Sequence, residues 1–538
     1  MEKMGLADKI SFQMHNLTKQ QILHILQSRD LECGIHTLRD LPTPQSLNHI
    51  ESAAQIISQA MEKNREILVV GDYDADGVCA SAIMTRFFQT LGYQHFRLII
   101  PNRFEDGYGV SAALLEKYAH NAAVVVSVDN GITAFCAGEW CKARDIPFII
   151  TDHHTPTPTL PQADAIINPM LKDSTFIQKN ICGAVVAWYF CGAIKRSLGA
   201  KIDMGMFLEY LAIATIADVM PLKGINRILV KKGLESLNTS SSVLATLLHQ
   251  EYARFKKPIT AESLSFDFIP LLNCAGRMES ANKALELLLS PSLAHAAHIY
   301  TELKSLNAKR KEIQQDIIQK AQERIIQTND VVLSYGESWH EGVLGIVAAQ
   351  LARMYKKSAF VLSQNAGVLK GSGRSFGGAN LIASITPLQQ YCLGFGGHSG
   401  AVGLSLELNQ LEVFVEKLQE CMVYEEASDR EAFFTLGAES IDRELFKILE
   451  SFEPFGEGNP KIAFLLENLT IQEIRPLGRE NKHFEYTLVD SRGVCVVGLE
   501  FLAPTMREVG QCLDIHAELM CDYYKNRIVV KILEAFVK

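Results

Sequence analysis

Across residues 67–170, short apolar runs rich in Val and Ile alternate with stretches of helical composition. The runs are EILVV, FRLII, AVVVSV, PFIIT and ADAII. This alternation is the pattern of a mostly parallel sheet covered by helices, and it constrains the fold more than any other feature of the chain. Each run ends in polar residues: GDYDADG, PNRFEDG, DNG, DHH and NP, in that order. Ligands of open α/β sheets sit outside the carboxyl ends of the strands, so these five tips are expected to meet in one crevice.

The remainder of the 538 residues is too long for a single core and is read in segments. Residues 1–60 are expected to form an N-terminal helical segment and 61–291 the α/β domain that carries the five runs. From Ser292 to Gln327 the chain has neither Gly nor Pro and is rich in Ala, Leu, Lys, Glu and Gln. That stretch, within a connecting segment 292–328, predicts one long helix of about 50 Å at 1.5 Å per residue. A second, smaller α/β domain follows over 329–453, with the glycine-dense tracts KGSGRSFGGAN and GFGGHSGAVG read as backbone-lined loops that approach a ligand closely. PFGEGNP at 454–460 punctuates the chain like an interdomain turn. Five strands after it, LTIQEIR, HFEYTLV, VCVVGLE, CLDIHAELM and RIVVKI, predict a small all-β domain over 454–538 of the OB type, with a small sandwich as the competing pattern.

Hydrophobic content of 48% and charged content of 21% suit a packed globular protein. The stretch MEKMGLADKISFQMHNLTK has no unbroken apolar core, so no export signal is expected, and no segment is apolar enough for a membrane span. Twelve cysteines with no CxxC pair and no regular spacing argue against a zinc ribbon and a disulfide framework, so a reducing, cytoplasmic setting is expected. The net charge of −9 argues against a nucleic-acid partner only superficially, because a carboxylate site is neutralised by bound metal. Basic runs persist at Lys256-Lys257, Lys304 to Lys311 and Lys356-Lys357, although such runs are commonly solvated faces.

Asp72, Asp74 and Asp76 alternate through GDYDADG directly after the first run. Three carboxylates in five residues repel one another unless a cation lies between them. For an isolated DxD the competing reading is an acidic loop capping a helix at Ala80. Asp129 after the third run, and Asp152, His153 and His154 after the fourth, bring further oxygen and imidazole donors to the same sheet edge. Asp/His donors without thiolate favour Mn²⁺ or Mg²⁺, and carboxylates able to bridge suggest two ions about 3.5–4 Å apart.

GDYDADG, SVDNG and TDHH, followed by ICGAVVAW, ATIADVMPL, NCAGRM, SWHEGVLGIVA, GSGRS, GFGGH and PFGEGNP, resemble in order the motifs of the RecJ branch of the DHH phosphoesterase superfamily. The resemblance covers nearly the whole chain. It implies a parallel-sheet DHH domain joined by the long helix to a DHHA1-type domain and followed by an OB-like domain. Residue by residue it makes Asp72, Asp74, Asp76, Asp129, His153, His154 and Asp218 the metal site, with Asp74, Asp76, Asp129, His153 and His154 catalytic. His154 and Asp72 also fit outer or substrate-facing roles. Ser372, Arg374 and His398 become substrate contacts, joined by Arg103, Asn273 and Arg277 as phosphate-binding candidates. Two departures stand out: Leu271 in PLLNCAGR replaces an arginine common in the family, and Val402 replaces an alanine.

The implied activity is two-metal hydrolysis of single-stranded DNA from its 5′ end to 5′-mononucleotides, in repair and recombination. Family analogy adds a single-strand-binding protein and a helicase as partners and a monomeric state. The rival enzyme class, a phosphodiesterase for short oligonucleotides or cyclic dinucleotides, usually lacks the C-terminal extension. The non-enzymatic rival, a replication-fork scaffold, does not need the retained acidic and histidine set. In the last domain Phe484 and Tyr486 share one strand face, where they either stack bases or fill the barrel core. Arg475, Arg479, Lys482, Lys525 and Arg527 surround its expected loops, and one of Tyr523 and Tyr524 must point outward.

Overall fold

The computed structural model describes residues 16–253, 257–425, 434–478, 482–503 and 506–538. The N-terminal stretch through His15, Lys256 and Arg479 lie outside the described residues. The chain divides into two compact units. The first takes the residues up to Leu272, Asn282–Ile299 and the C-terminal residues from 434; the second takes Asn273–Ala281 and the residues from Tyr300 to 425.

The first unit opens with helices α1 (Lys19–Gln27) and α2 (Ile50–Glu62). The expected βα alternation follows: β1 (Ile67–Val70), α3 (Ala75–Thr90), β2 (Phe96–Ile99), α4 (Ala112–Tyr118), β3 (Val124–Val128), α5 (Phe135–Lys142), β4 (Phe148–Thr151) and β5 (Ala165–Ile167). All five strands pair in parallel, in the order β2-β1-β3-β4-β5. Their apolar runs are continuous because helices cover both faces. Leu68, Val125, Phe148 and Ile150 pack with Leu114 and Leu115 of α4 and Ala137 and Cys141 of α5. On the opposite face lie α2, α3 and α6 (Gly183–Ser197). The register aligns Val70 with Ile99 and Ser127, Val128 with Thr151, and Thr151 with Ile167, so all five polar tips leave the sheet at one edge. Helices α7 (Leu208–Ala217), α8 (Gly224–Thr239) and α9 (Val243–Tyr252) follow, with further helices between Ala261 and Leu288.

The long helix runs over Leu293–Gln322, shorter than expected. Past it the chain turns into β6 (Ile326–Gln327), which pairs with β7 (Val331–Glu337), so the sheet claims residues that composition assigns to the helix. The second unit continues with helix Glu341–Tyr355, β8 (Ser358–Asn365), β9 (Val368–Arg374), β10 (Gly394–Gly397) and β11 (Ala401–Glu407), giving a sheet ordered β10-β11-β9-β8-β7-β6. The glycine tracts are only partly loops, which corrects the expectation: SFGGAN and the HSG turn lie outside the strands, whereas the other residues of the tracts belong to β9, β10 and β11. KGSGR is the interior of β9, and glycine is needed because a Cβ at Gly371 would stand 2.1 Å from the Val361 carbonyl oxygen and one at Gly373 2.4 Å from the Phe360 ring. Val402 packs in the apolar core beside this strand.

Returning to the first unit, β12 (Phe434–Thr435) is followed by helix Arg443–Glu450 and by β13 (Ala463–Leu477), β14 (His483–Val489), β15 (Cys495–Phe501), β16 (Cys512–Asp522) and β17 (Arg527–Val537). Their order is β13-β14-β15-β17-β16, and β13 pairs again with β16, so the sheet closes into an OB-type barrel rather than a sandwich. Phe484 and Tyr486 fill the barrel core. Tyr524 is the exposed member of its pair, at 77%.

Candidate metal centre

Helix α3 starts at Ala75, not at Ala80, and Asp74 is its N-cap, accepting from the backbone N–H groups of Asp76 and Gly77 at 3.1 Å each. Capping and metal binding are therefore compatible roles for this carboxylate. Asp72 accepts from the Tyr73 N–H, and Gly77 is required because a Cβ there would lie 2.4 Å from Asp72 Cβ. Asp76 is buried and accepts from the N–H groups of Gly183 at 2.6 Å and Ala184 at 2.9 Å, so the N-terminus of α6 steadies its charge. Gly183 must lack a side chain, since its Cβ would fall 2.2 Å from Asp129 Oδ1. Asp129 follows β3 in the left-handed region at φ +63°. Asp218 closes the C-terminal end of α7.

His153 Nε2 lies 3.2 Å from Asp129 Oδ1, 3.5 Å from Asp218 Oδ2 and 3.8 Å from Asp76 Oδ2. Three donor groups result, Asp76-His153-Asp218, Asp129-His153-His154 and Asp72-Asp74-Asp129, and within each the donor atoms lie no more than 4.8 Å apart. Asp129 and His153 are each shared by two groups. Asp129 Oδ1 and Asp218 Oδ2 are buried without a hydrogen-bond partner, an arrangement that costs free energy unless a cation takes those lone pairs. Oxygen and imidazole donors with no thiolate fit Mn²⁺ or Mg²⁺.

The electrostatics agree with that fit. Burial, followed by the neighbouring Asp74 charge, raises Asp76 to about 7 and Asp72 to about 8. Burial and the Asp76 charge raise Asp218 to about 7, and burial with four carboxylate neighbours raises Asp129. Burial lowers His153, which favours the neutral imidazole that can serve as a ligand.

Asp152 stands outside the expected ligand set and organises the TDHH tip instead. It is buried and accepts from the backbone N–H groups of Ile132, His153 and His154, while its Oδ1 meets His154 Nδ1 at 2.7 Å. Burial opposes its charge, but His154 outweighs burial and holds the carboxyl below its ordinary range. Burial likewise opposes the His154 charge, yet Asp152 raises that imidazole to about 9. Two asparagines join this frame. Asn130 donates to the Val70 and Val128 carbonyls and accepts from Val110, and Asn168 donates to the His154 carbonyl. Their positions in the DNG and NP tips are the only sequence signal that could have singled them out.

Of the substrate candidates, Arg103 belongs to the first unit, with its guanidinium 5.2 Å from the Tyr73 ring centroid in GDYDADG. The other five lie in the second unit. Ser372 and Arg374 sit on β9, where Arg374 donates to the Gly373 carbonyl and its guanidinium occupies the space a Cβ on Gly345 would need. His398, in the β10–β11 turn, accepts from the Gly400 N–H at 3.2 Å. Asn273 and Arg277 lie on helix Ile269–Met278, and Arg277 donates to the Gly342 carbonyl. Leu271, on the same helix, is buried. In the barrel, Arg475 pairs with Glu473, and Lys525 and Arg527 both pair with Glu485.

Residues 66–215 match the DHH family, N-terminal domain, residues 328–423 the DHHA1 domain, and residues 434–533 the RecJ OB domain. The single-stranded-DNA-specific exonuclease RecJ of Escherichia coli is 34% identical over 403 residues, covering 70% of this chain and 69% of that protein. Its namesake in Haemophilus influenzae is 31% identical over 498 residues, covering 87% and 86%. Among solved structures, RecJ of Thermus thermophilus in complex with Mn²⁺ superposes with a TM-score of 0.80 at 25% identity, covering 99% of this chain and 80% of that one.

Proposed function

The chain belongs to the RecJ family of DHH-domain proteins, and from that membership we propose that it is a single-stranded-DNA-specific exonuclease that hydrolyses phosphodiester bonds from the 5′ end by two-metal catalysis. The observation that carries this reading is the shared donor cluster, in which two buried carboxylate oxygens lack partners and three acids hold protons near neutrality. Such a cluster is costly in an empty protein and apt for divalent cations. In this reading Asp72, Asp74 and Asp129 hold one Mn²⁺ or Mg²⁺ ion, and Asp76, His153 and Asp218 hold the other. When bound, the ions supply the Lewis acidity that activates water and stabilises the leaving 3′ oxygen.

The remaining residues bind and orient. Asp152 fixes His154 through Nδ1 and keeps it protonated, so that the half-exposed imidazolium meets phosphate charge. Arg103 adds a cation beside Tyr73, and Ser372, Arg374, His398, Asn273 and Arg277 take further phosphates of the strand. Residues 61–291 serve as the catalytic domain, 329–453 as the substrate-binding domain and 454–538 as the nucleic-acid-binding domain. A role in repair and recombination, a single-strand-binding protein and a helicase as partners, and a monomeric state follow by family analogy.

Digestion of 5′- and 3′-labelled single-stranded and duplex DNA with Mn²⁺, Mg²⁺ or EDTA tests the reading. The expected result is early release of the 5′ label as mononucleotide, from single strands only, and none with EDTA. Release from the 3′ end overturns the polarity, and turnover in EDTA overturns the metal site.

A further inference from the structure

PFGEGNP reads in the sequence as punctuation, but its contacts give it a different character. Asn459 is fully buried and donates through Nδ2 to the carbonyls of Phe452 and Pro454 at 2.9 Å each, while its Oδ1 accepts from Arg29 at 2.6 Å. Arg227 of α8, also buried, donates to the Phe452 and Glu453 carbonyls at 3.1 and 3.2 Å. Within the first unit the turn is thereby anchored to Arg29 and to α8. Its tip then grips one short segment: the Leu222 N–H donates to the Glu457 carbonyl at 2.7 Å. Gly458 lies so close to Pro221 that an added Cβ would come within 3.1 Å of the proline ring, and one on Gly456 within 2.8 Å of Leu222 Cδ1.

Pro221 and Leu222 end the loop that begins at Asp218. Between Asp218 and Pro221, Val219 stands in the left-handed region at φ +53°, a conformation a β-branched residue keeps only when its surroundings over-determine it. The other side of the loop is held as well. Asn226 Nδ2 donates to the Pro221 carbonyl at 3.0 Å and to the Asn180 carbonyl at 2.7 Å, and Asn180 precedes the Gly183 end of α6 that binds Asp76.

We propose that the PFGEGNP turn is a positioning element for the metal centre, clamping Pro221-Leu222 so that Asp218 stays at its corner of the donor cluster. The idea rests on Asp218 being a metal ligand. It makes a segment more than two hundred residues downstream part of the machinery that tunes metal affinity.

The test measures Mn²⁺ binding to the full-length, metal-stripped protein without DNA, by titration calorimetry or by the electron paramagnetic resonance of free Mn²⁺. Gly458→Ala is expected to weaken binding roughly 10–100-fold, as loss of an outer support of a metal ligand typically does, with turnover recovered at high Mn²⁺. Val530→Ala, in the barrel core, serves as the control for mere destabilisation and is expected to leave Mn²⁺ affinity unchanged. Asp218→Asn tests the premise separately. If it leaves Mn²⁺ binding intact, the ligand assignment fails; if it weakens binding while Gly458→Ala does not, the clamp fails. Should Gly458→Ala not fold, Gly456→Ala gives the same reading with a clash against a side chain only.

Discussion

Asp129 combines three properties that rarely coincide: burial, a left-handed backbone and a carboxylate oxygen without a hydrogen-bond partner. Asparagine tolerates that backbone, whereas alanine costs about 1–2 kcal/mol there. Asp129→Asn is therefore expected to cut nuclease activity by more than roughly a hundredfold, beyond the usual loss for an outer support, while melting at or above the wild-type temperature in EDTA. Asp129→Ala should be equally inactive and melt lower than Asp129→Asn. Normal turnover by purified Asp129→Asn removes Asp129 from the site. A second expectation concerns protons. Asp72, Asp76 and Asp218, raised to about 8, 7 and 7, bind protons in the folded state between pH 4 and 8 that the unfolded chain has already released. His154, raised to about 9, acts in the same direction above pH 6.5, and His153, lowered by burial, opposes it. The folded state thus holds more protons, so stability of the metal-free protein should fall as pH rises through this window. Melting in EDTA should be higher at pH 5.5 than at pH 8.5, and added Mn²⁺ should narrow the gap. A melting temperature in EDTA that climbs with pH contradicts this account.

At the scale of elements, strand ends supply most of the donors, and helix termini steady them. Asp74 caps α3, Asp76 rests on the first N–H groups of α6, and Asp218 closes α7. In the second unit, β9 and the β10–β11 turn carry Arg374 and His398 on a backbone made close-packed by Gly371 and Gly373. Charge-assisted contacts to phosphate are worth about 1.5–3 kcal/mol, or roughly ten- to a hundredfold in affinity. Arg374→Ala and His398→Ala should weaken binding of a 5′-phosphorylated oligonucleotide, followed by fluorescence anisotropy in EDTA, by that amount. Mn²⁺ affinity should not change. An equal loss of Mn²⁺ affinity would move both residues to the metal centre.

On the scale of the whole molecule, the barrel is not an appendage. Its core continues into Leu17, Ile22 and Leu26 at the other end of the chain and into Leu445 and Leu449. Removal of residues from Leu469 onward would cut β13 in mid-strand and open this shared core, so such a truncation reports on folding as well as on DNA binding. Ile22→Ala is the cleaner probe. It should destabilise the protein by about 2–5 kcal/mol in urea unfolding, with barrel and α/β sheet melting together. Separate transitions with only the barrel affected would show that the two fold independently.

The sequence by itself determined the parallel sheet, the edge at which its tips meet and the chemical type of the donors. Those follow from short-range patterns: an apolar run fixes a strand, and parallel pairing in register puts every polar tip on the same side. Composition failed where long-range pairing decided, as at Ile326 and Gln327, which join a strand, and in the KGSGR tract, whose glycines make room for neighbouring strands rather than for a loop. Alternation put Phe484 and Tyr486 on one face, but only closure of the barrel made that face the inside. Asp152 looked equal to its neighbours, and tertiary hydrogen bonds gave it the role of holding His154. The grip of PFGEGNP on Leu222 was equally invisible, because a backbone contact between segments remote in sequence leaves no periodicity to read and exists only once both ends are folded against the same helix.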